Sequence, residues 1–594
     1  MNHYFLRLLL TLVLASSFLS GCGGGSGDGN DNVTNNEQPS DGDNGTPPTS
    51  GDGSTENPDP NDGNQDPDSG DGEQPSNHAF EVDPKDGLPA LLTDVPDENE
   101  YLSAGLGTSR TLNEDAFGEA LPAVEGDFTL DSNFKAGDHI FRKNHDGQGP
   151  LFNNESCQGC HIRDGRGELP ADASDPMLSM FFRIGDGSGN LDPIYGDQIQ
   201  VFGTIDGMTS SAKAKYNGAV DEMLAYGEAH TWVEYELVSG TFADGESFEL
   251  RKPINKVRDL AYGPFMSGVQ FSARVTPHVF GSGLLESIPE ASILVYADEY
   301  DENKDGISGR AAYTTHPTTG EKQLARFGYK AVTGTVLQQA SGAYRGDMGV
   351  TNSLSPEEVC TNKQAACLAQ AEKENKQHHE GVDLNDLDLA LVEFYNRTLA
   401  VPIRRGFDEA TKVWDEEVIS GRKQFFAANC HSCHVPRHKT GDAEGSILGD
   451  VDIVGLSDTR TNITALENLV IYPYTDLLLH DMGGECVVTR ETESGATCDQ
   501  IDSQACIYVQ RCEGLADGRP EGEASGSEWK TPALWGLGLV KTVNPRATFL
   551  HDGRARTISE AILWHGGEAS AAKQSFLNMP KADRQALIKF LESL

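Results

Sequence analysis

Positive charge is what this chain has least of. Lys and Arg number 46 against 92 Asp and Glu, a net charge of −46, which argues against nucleic acid and anionic membrane surfaces as partners. Long apolar runs are missing too. The stretch from Leu8 to Leu14 is too short for a comfortable spanning helix. Gly-rich stretches occur as linkers and turns without the context of a phosphate loop, and no Ser-His-Asp hydrolase arrangement stands out. Cysteine is sparse, 11 in 594 residues beside 16 His, so the way these residues are grouped carries information.

They are grouped in two Cys-x-x-Cys-His pentapeptides, Cys157-Gln158-Gly159-Cys160-His161 and Cys430-His431-Ser432-Cys433-His434. In each, two thiols can add across the vinyl groups of one haem while the following His takes the iron. Cys157, Cys160, Cys430 and Cys433 are therefore the expected attachment points of two covalent c-type haems, with His161 and His434 as axial ligands. Cys-x-x-Cys pairs also make zinc knuckles, but zinc does not need a His directly after each pair.

Residues 1–22 read as a bacterial lipoprotein leader. Arg7 supplies the positive end, Leu8 to Leu14 the apolar core, and Leu19-Ser20-Gly21-Cys22 ends in the thiol that would be lipidated after cleavage. The expected location is the cell envelope, lipid-anchored and periplasm-facing or in the outer membrane. Residues 23–78 are Gly, Asp, Asn, Pro, Ser and Glu with almost no apolar residue, a composition that cannot offset ordering entropy and reads as a disordered, self-repelling tether. Setting aside the four motif thiols and Cys22 leaves Cys360, Cys367, Cys486, Cys498, Cys506 and Cys512. An even remainder in an oxidising compartment suggests up to three disulfides. Cys360 with Cys367 is a plausible local pair; the last four allow three connectivities.

Each motif follows a short helix with a Gly and an aromatic four residues on, Gly137/Phe141 and Gly421/Phe425, which places the two on one helix face. The chain closes with Leu587, Ile588, Phe590, Leu591 and Leu594 in one apolar stripe at helical spacing. Thr231 to Glu249 alternates apolar and polar around an Asp-Gly and reads as a β-hairpin. The expected fold class is mainly α: two cytochrome c-like haem domains, 79–400 and 401–594, with long loops and a β-rich insertion over about 195–260 in the first.

Several longer blocks resemble the di-haem oxidoreductases of the peroxidase type, relatives of the bacterial di-haem cytochrome c peroxidases and of the enzyme that matures tryptophan tryptophylquinone. The blocks are Gly149 to Asn153 with Asp164 to Gly167, Gly281 to Glu290, Tyr472 to Gly483, Lys530 to Gly536 and Phe549 to Arg554. The resemblance implies a peroxidatic first haem and an electron-relaying second haem. It places the sixth ligand of the second haem at His565, where the peroxidases have Met and the quinone-maturing enzyme has Tyr; Met482, His480 and Met579 are the other candidates. Gln339 and Asp347 would occupy the distal pocket of the first haem, with Asp in place of the usual Glu. Tyr329 would stand between the haems where relatives have Trp. Asp301, Asn303 and Asp305 begin like an EF-hand loop, but position 12 is Ala312, so calcium there would need a borrowed ligand.

The activity implied is reduction of peroxide or another small oxidant, with electrons from a small redox protein or a quinol-linked donor. A pure electron carrier, and an oxidase of a protein or organic substrate, are the competing readings.

Overall fold

The computed structural model describes residues 79–594, apart from residues 84, 86, 146–148, 174, 205–226, 318, 374–380, 446–447, 449–460 and 499–505. The leader, Cys22, the tether and the middle of the expected insertion lie outside the described residues. The motifs are framed by helices α1 (Phe128–Arg142), α2 (Val336–Met348), α3 (Asp386–Thr398), α4 (Glu416–Ala427) and α5 (Lys581–Ser593). The strands that matter are β1 (Met180–Asp186), β2 (His230–Thr241), β3 (Ser247–Arg258), β4 (Val269–Val275), β5 (Cys486–Glu491) and β6 (Ile507–Cys512).

Two helix crossings carry the motifs, and a glycine sits at each. α1 starts on Asp127, whose carboxylate accepts from the amides of Thr129 and Leu130, an N-cap that satisfies two otherwise orphaned donors. It crosses α3 at Gly137, where a Cβ would collide with Leu391 O and Tyr395 Cβ. α4 crosses α5 at Gly421, where a Cβ would collide with Ala586 O and Phe590 Cβ. Only glycine lets the backbones come this close. The aromatics four residues on seal the crossings. Phe141 packs 5.3 Å from Tyr395 and Phe425 5.3 Å from Phe590, centroid to centroid, all four rings buried. The closing helix read from the stripe Leu587–Leu594 is α5, and its counterpart in the first half is α3, which the sequence reading did not single out.

The hairpin read from alternation is β2–β3, antiparallel with Thr241 opposite Ser247. Its sheet is four-stranded in the order β5–β6–β3–β2, so residues 486–512 complete a sheet begun at residue 230. β1 pairs antiparallel with β4 and packs in the same apolar cluster as Trp232, Val257 and Tyr508. A larger cluster runs from Ala104 to Leu594 and takes in the helices of both crossings. Pro75–Leu594 accordingly forms one compact unit.

The expected mainly α class is not met. The described residues are 29% helical and 21% strand, with 13 helices and many small sheets. The physical reason is that the long helices frame the two motifs, while the connections between them are mostly not helical. The long connections between the rods are tied by ladders of two or three residues, such as Leu479–Asp481 with Glu528–Lys530, too short to leave a periodic signal.

Three disulfides join the six remaining cysteines: Cys360–Cys367, Cys486–Cys512 and Cys498–Cys506. The local pair is the one expected. Of the three connectivities open to the last four, the structure has the nested one, with Cys486 and Cys512 directly opposed in the β5–β6 ladder.

Candidate functional site

Both motif histidines are held in the same way. His161 Nδ1 donates to Pro277 O at 2.7 Å and His434 Nδ1 to Tyr474 O at 3.0 Å. A carbonyl acceptor fixes the tautomer with the proton on Nδ1 and leaves the Nε2 lone pair for a metal. Burial holds each ring's pKa down at about 4, so both are neutral imidazoles. Cys157, Cys160, Cys430 and Cys433 are free of disulfides, and burial pushes the thiols of Cys157 and Cys430 up to about 12. In the first motif the Ser156 hydroxyl caps the short helix by accepting from Gly159 N, and Asn154 occupies the space a Cβ at position 159 would need.

These residues fit a haem in each half: a neutral imidazole with a free Nε2 and two unpaired thiols beside an aromatic wall. They do not fit zinc. Among the described residues no group of three or more His, Cys, Asp or Glu is placed to hold a metal ion.

His565 follows a short helix, Ile558–Trp564. Its Nδ1 donates to Ala561 O at 2.8 Å, which again leaves Nε2 free. It lies near enough to His434 to be, after burial, the next cause of that ring's lowered pKa, and burial lowers its own pKa as well. His480 is differently engaged. Its Nε2 lies 2.8 Å from Asp476 Oδ2 and its Nδ1 2.7 Å from Glu568 Oε2. Burial alone would lower its pKa, but Asp476 and Glu568 overcome that and hold it well above the usual value. A doubly clamped imidazolium has no lone pair for iron. Met579 is buried, and Met482 packs against the large apolar cluster.

Asp347 lies on the last turn of α2, beside the first motif. Its carbonyl accepts from Asn153 N and Asn154 N at 2.8 and 3.1 Å, and its charge reaches both Cys157 and Cys160. Burial raises its pKa, partly opposed by Arg183 and by a hydrogen bond from Gln198 Nε2. Gln339, on the same helix, is exposed and accepts from Thr333 Oγ1 at 3.0 Å. Eight residues of helix separate it from Asp347 by about 12 Å along the axis.

Tyr329 stands between the two motifs. Its hydroxyl donates to Val275 O at 2.8 Å, two residues before the carbonyl that holds His161. Its own carbonyl accepts from Lys530 N at 2.9 Å. The next residue, Thr531, accepts through its carbonyl from Thr475 Oγ1 at 2.7 Å, beside the Tyr474 carbonyl that holds His434. The ring meets Trp529 and His551 edge-on at 6.5 and 6.4 Å, and those two stack at 3.7 Å.

In the loop from Asp301 to Gly309 the oxygens serve the loop itself. Asp301 Oδ1 accepts from Gly306 N, Asn303 Oδ1 from Asp305 N, and Asp305 Oδ1 from Ile307 N. Ser308 ties this loop to the second motif by donating to Glu568 Oε1, the carboxylate that also clamps His480.

Two features escape the sequence. Glu100 is fully buried under the second motif, where Arg404, Arg422 and the Tyr474 hydroxyl all converge on Oε1 at 2.5–2.6 Å. Gln198 and its neighbour Gln200, in the expected insertion, reach the end of α2. Single residues far apart in sequence leave no spacing to read; the alternation Gln198-Ile199-Gln200-Val201 was the available signal for the second.

Comparison with known proteins follows the same outline. The family model described as "Di-haem oxidoreductase, putative peroxidase" matches residues 109–495 and 504–594. The chain belongs to this family. Its members' di-haem chemistry agrees with two haem-fitting motifs in one compact unit. No curated protein matches significantly. Among solved structures, a Kuenenia stuttgartiensis hydrazine synthase pressurised with xenon is similar at 15% identity, over 40% of this chain and 63% of that one. Its TM-score of 0.20 is too low to carry an argument.

Proposed function

We propose that this di-haem oxidoreductase reduces peroxide at a c-type haem held by Cys157, Cys160 and His161, with electrons relayed through a second held by Cys430, Cys433 and His434. The observation that carries the reading is the unequal company of the two histidines. His434 feels a second imidazole with a free Nε2, His565, which suits a six-coordinate, low-spin electron carrier. The first motif has beside it a carboxyl group, Asp347, which suits proton delivery.

Haem iron, when bound, supplies the site at which a peroxide can bind and receive electrons. The chain supplies the rest. Reduction of one hydrogen peroxide to two waters takes two electrons and two protons, and breaking the O–O bond needs a proton on the leaving oxygen. Asp347, whose pKa burial raises above the ordinary carboxylate value, is the group we assign to carry that proton. Pro277 O and Tyr474 O keep the two imidazoles oriented, and Tyr329 with the Lys530–Thr531 segment spans the ground between them as the path for the electron.

The donor fits a small redox protein, one of basic charge suiting the acidic chain, or a quinol-linked carrier. The leader reading places the enzyme on the periplasmic face or in the outer membrane, tethered at Cys22. No helix of the described residues is long and apolar enough to cross a membrane. Calcium at Asp301, Asn303 and Asp305 is left out of the proposal, since their oxygens already serve the loop's own amides.

The test is an optical and EPR titration of the holoprotein with hydrogen peroxide, in ferric and half-reduced forms. A high-spin signal lost on peroxide addition, with turnover once a donor is supplied, is the expected result. Two low-spin haems inert in both forms would leave only an electron carrier.

A further inference from the structure

The acid assigned to the first haem is oriented by an amide that comes from an unexpected place. Gln198 and Gln200 alternate on an extended segment, so both side chains project to one side, and that side faces the C-terminal turn of α2. Gln198 Nε2 donates to Asp347 Oδ1 at 2.9 Å and to Gly346 O at 3.0 Å; Gln200 Nε2 donates to Gly346 O at 2.8 Å. Gln200 Oε1 in turn accepts from Asn153 Nδ2 at 2.8 Å, and Asn153 N donates to Asp347 O. The three amides lock the end of α2 against the segment leading into Cys157. Gln198 and Gln200 are each 3% exposed and Asn153 2%.

Gln198 has a further property. Its Oε1 is buried with no hydrogen-bond partner, whereas both its donor contacts are used. A buried acceptor without a donor is costly to keep, and here it stands next to the carboxyl group that must meet a proton-bearing substrate. Gln339, the amide that family resemblance points to, is exposed, bonded to Thr333 and two helical turns away.

We infer that Gln198, not Gln339, is the amide that positions Asp347 at the first haem, and that its unspent carbonyl oxygen accepts the hydrogen of a protonated ligand bound there. This rests on the peroxide-reducing reading above. Gln198 is a positioning residue for Asp347: by donating to Oδ1 it turns Oδ2 toward the ligand.

The experiment measures cyanide association with the ferric first haem of the holoprotein, with the EPR spectrum of each form. Hydrogen cyanide must lose its proton to bind, so the rate reports a base held in place. Gln198→Leu and the similarly long Gln198→Met, neither of which carries an N–H donor, should each slow association about tenfold and alter the first-haem EPR signal alone. Gln339→Leu should stay within about twofold of the parent. Asp347→Asn separates the two levels of the argument. If it slows association while both Gln198 variants do not, the inference fails and the assignment of Asp347 stands. If Asp347→Asn changes nothing, that assignment fails and the inference falls with it.

Discussion

Under the first motif, Arg142 Nη2 donates to Asp164 at 2.8 Å and Tyr395 OH to the same carboxylate at 2.6 Å, with the arginine side chain 31% exposed. Under the second, two arginines and a tyrosine converge on Glu100, and both guanidinium side chains are 1% exposed. Both carboxylates are buried, but the first has a partly exposed arginine partner and the second is sealed together with its partners. Burial outweighs Arg142 and Tyr395 at Asp164 and leaves its pKa raised. At Glu100 burial also pushes the pKa up, but the charges of Arg422 and Arg404 and the Tyr474 bond overcome it and hold the pKa at about 2. A carboxylate, arginine and tyrosine thus make a half-wet support under the first motif and a dry, committed one under the second. The Tyr474 that serves Glu100 also offers its carbonyl to His434, so the dry cluster braces that imidazole too.

The widest gap between the halves should appear in spectra. His565→Ala should turn one of two ferric haems from low-spin to high-spin while leaving the first-haem EPR signal in place. A spectrum unchanged by the substitution would remove the second imidazole from the comparison.

Stability should differ next. Glu100→Gln leaves two buried guanidinium groups uncompensated, a change expected to cost about 3–5 kcal/mol. Asp164→Asn, where Arg142 can turn to solvent, should cost less, about 1–3 kcal/mol. Urea unfolding of both variants against the parent measures the gap, and equal losses would close it. The crossings provide the contrast where the halves should agree. Gly137→Ala and Gly421→Ala each force backbone apart and should each cost about 1–3 kcal/mol by overpacking.

The smallest effect is the dependence on pH. Glu100 has a depressed pKa, so the stability it contributes is complete above the ordinary value of 4.5 and is lost as pH falls through about 2. The penalty of Glu100→Gln should therefore shrink between pH 4.5 and 2. Asp164 has a raised pKa, so its titration carries the opposite sign: its contribution is present at low pH and lost as pH rises through the folded-state value. The penalty of Asp164→Asn should not shrink in that window.

Much of the scaffold was legible in the sequence because it depends on short-range spacing. The two pentapeptides, the Gly/aromatic pairs of α1 and α4, the apolar stripe of α5, the β2–β3 hairpin and the Cys360–Cys367 bridge all declare themselves within about twenty residues. What was hidden is long-range. Glu100 meets Arg404 and Arg422 across 304 and 322 residues, and Gln198 meets Asp347 across 149. The balance of helix and strand was misjudged for a related reason: ladders of two residues are decided by tertiary contacts, and no window of sequence contains them.

The carbonyls that hold the two histidines have a consequence for how the molecule is made. His161 finds its acceptor 116 residues downstream and His434 only 40. Closing the longer loop costs about 1 kcal/mol more in chain entropy. A chain delivered from its N-terminus exposes the first pentapeptide earlier, yet that ring must wait longer for the residue that orients it. The first cradle still closes before the second, since Pro277 is delivered ahead of Cys430, but its imidazole stays unoriented through 116 residues of new chain, whereas His434 waits through only 40.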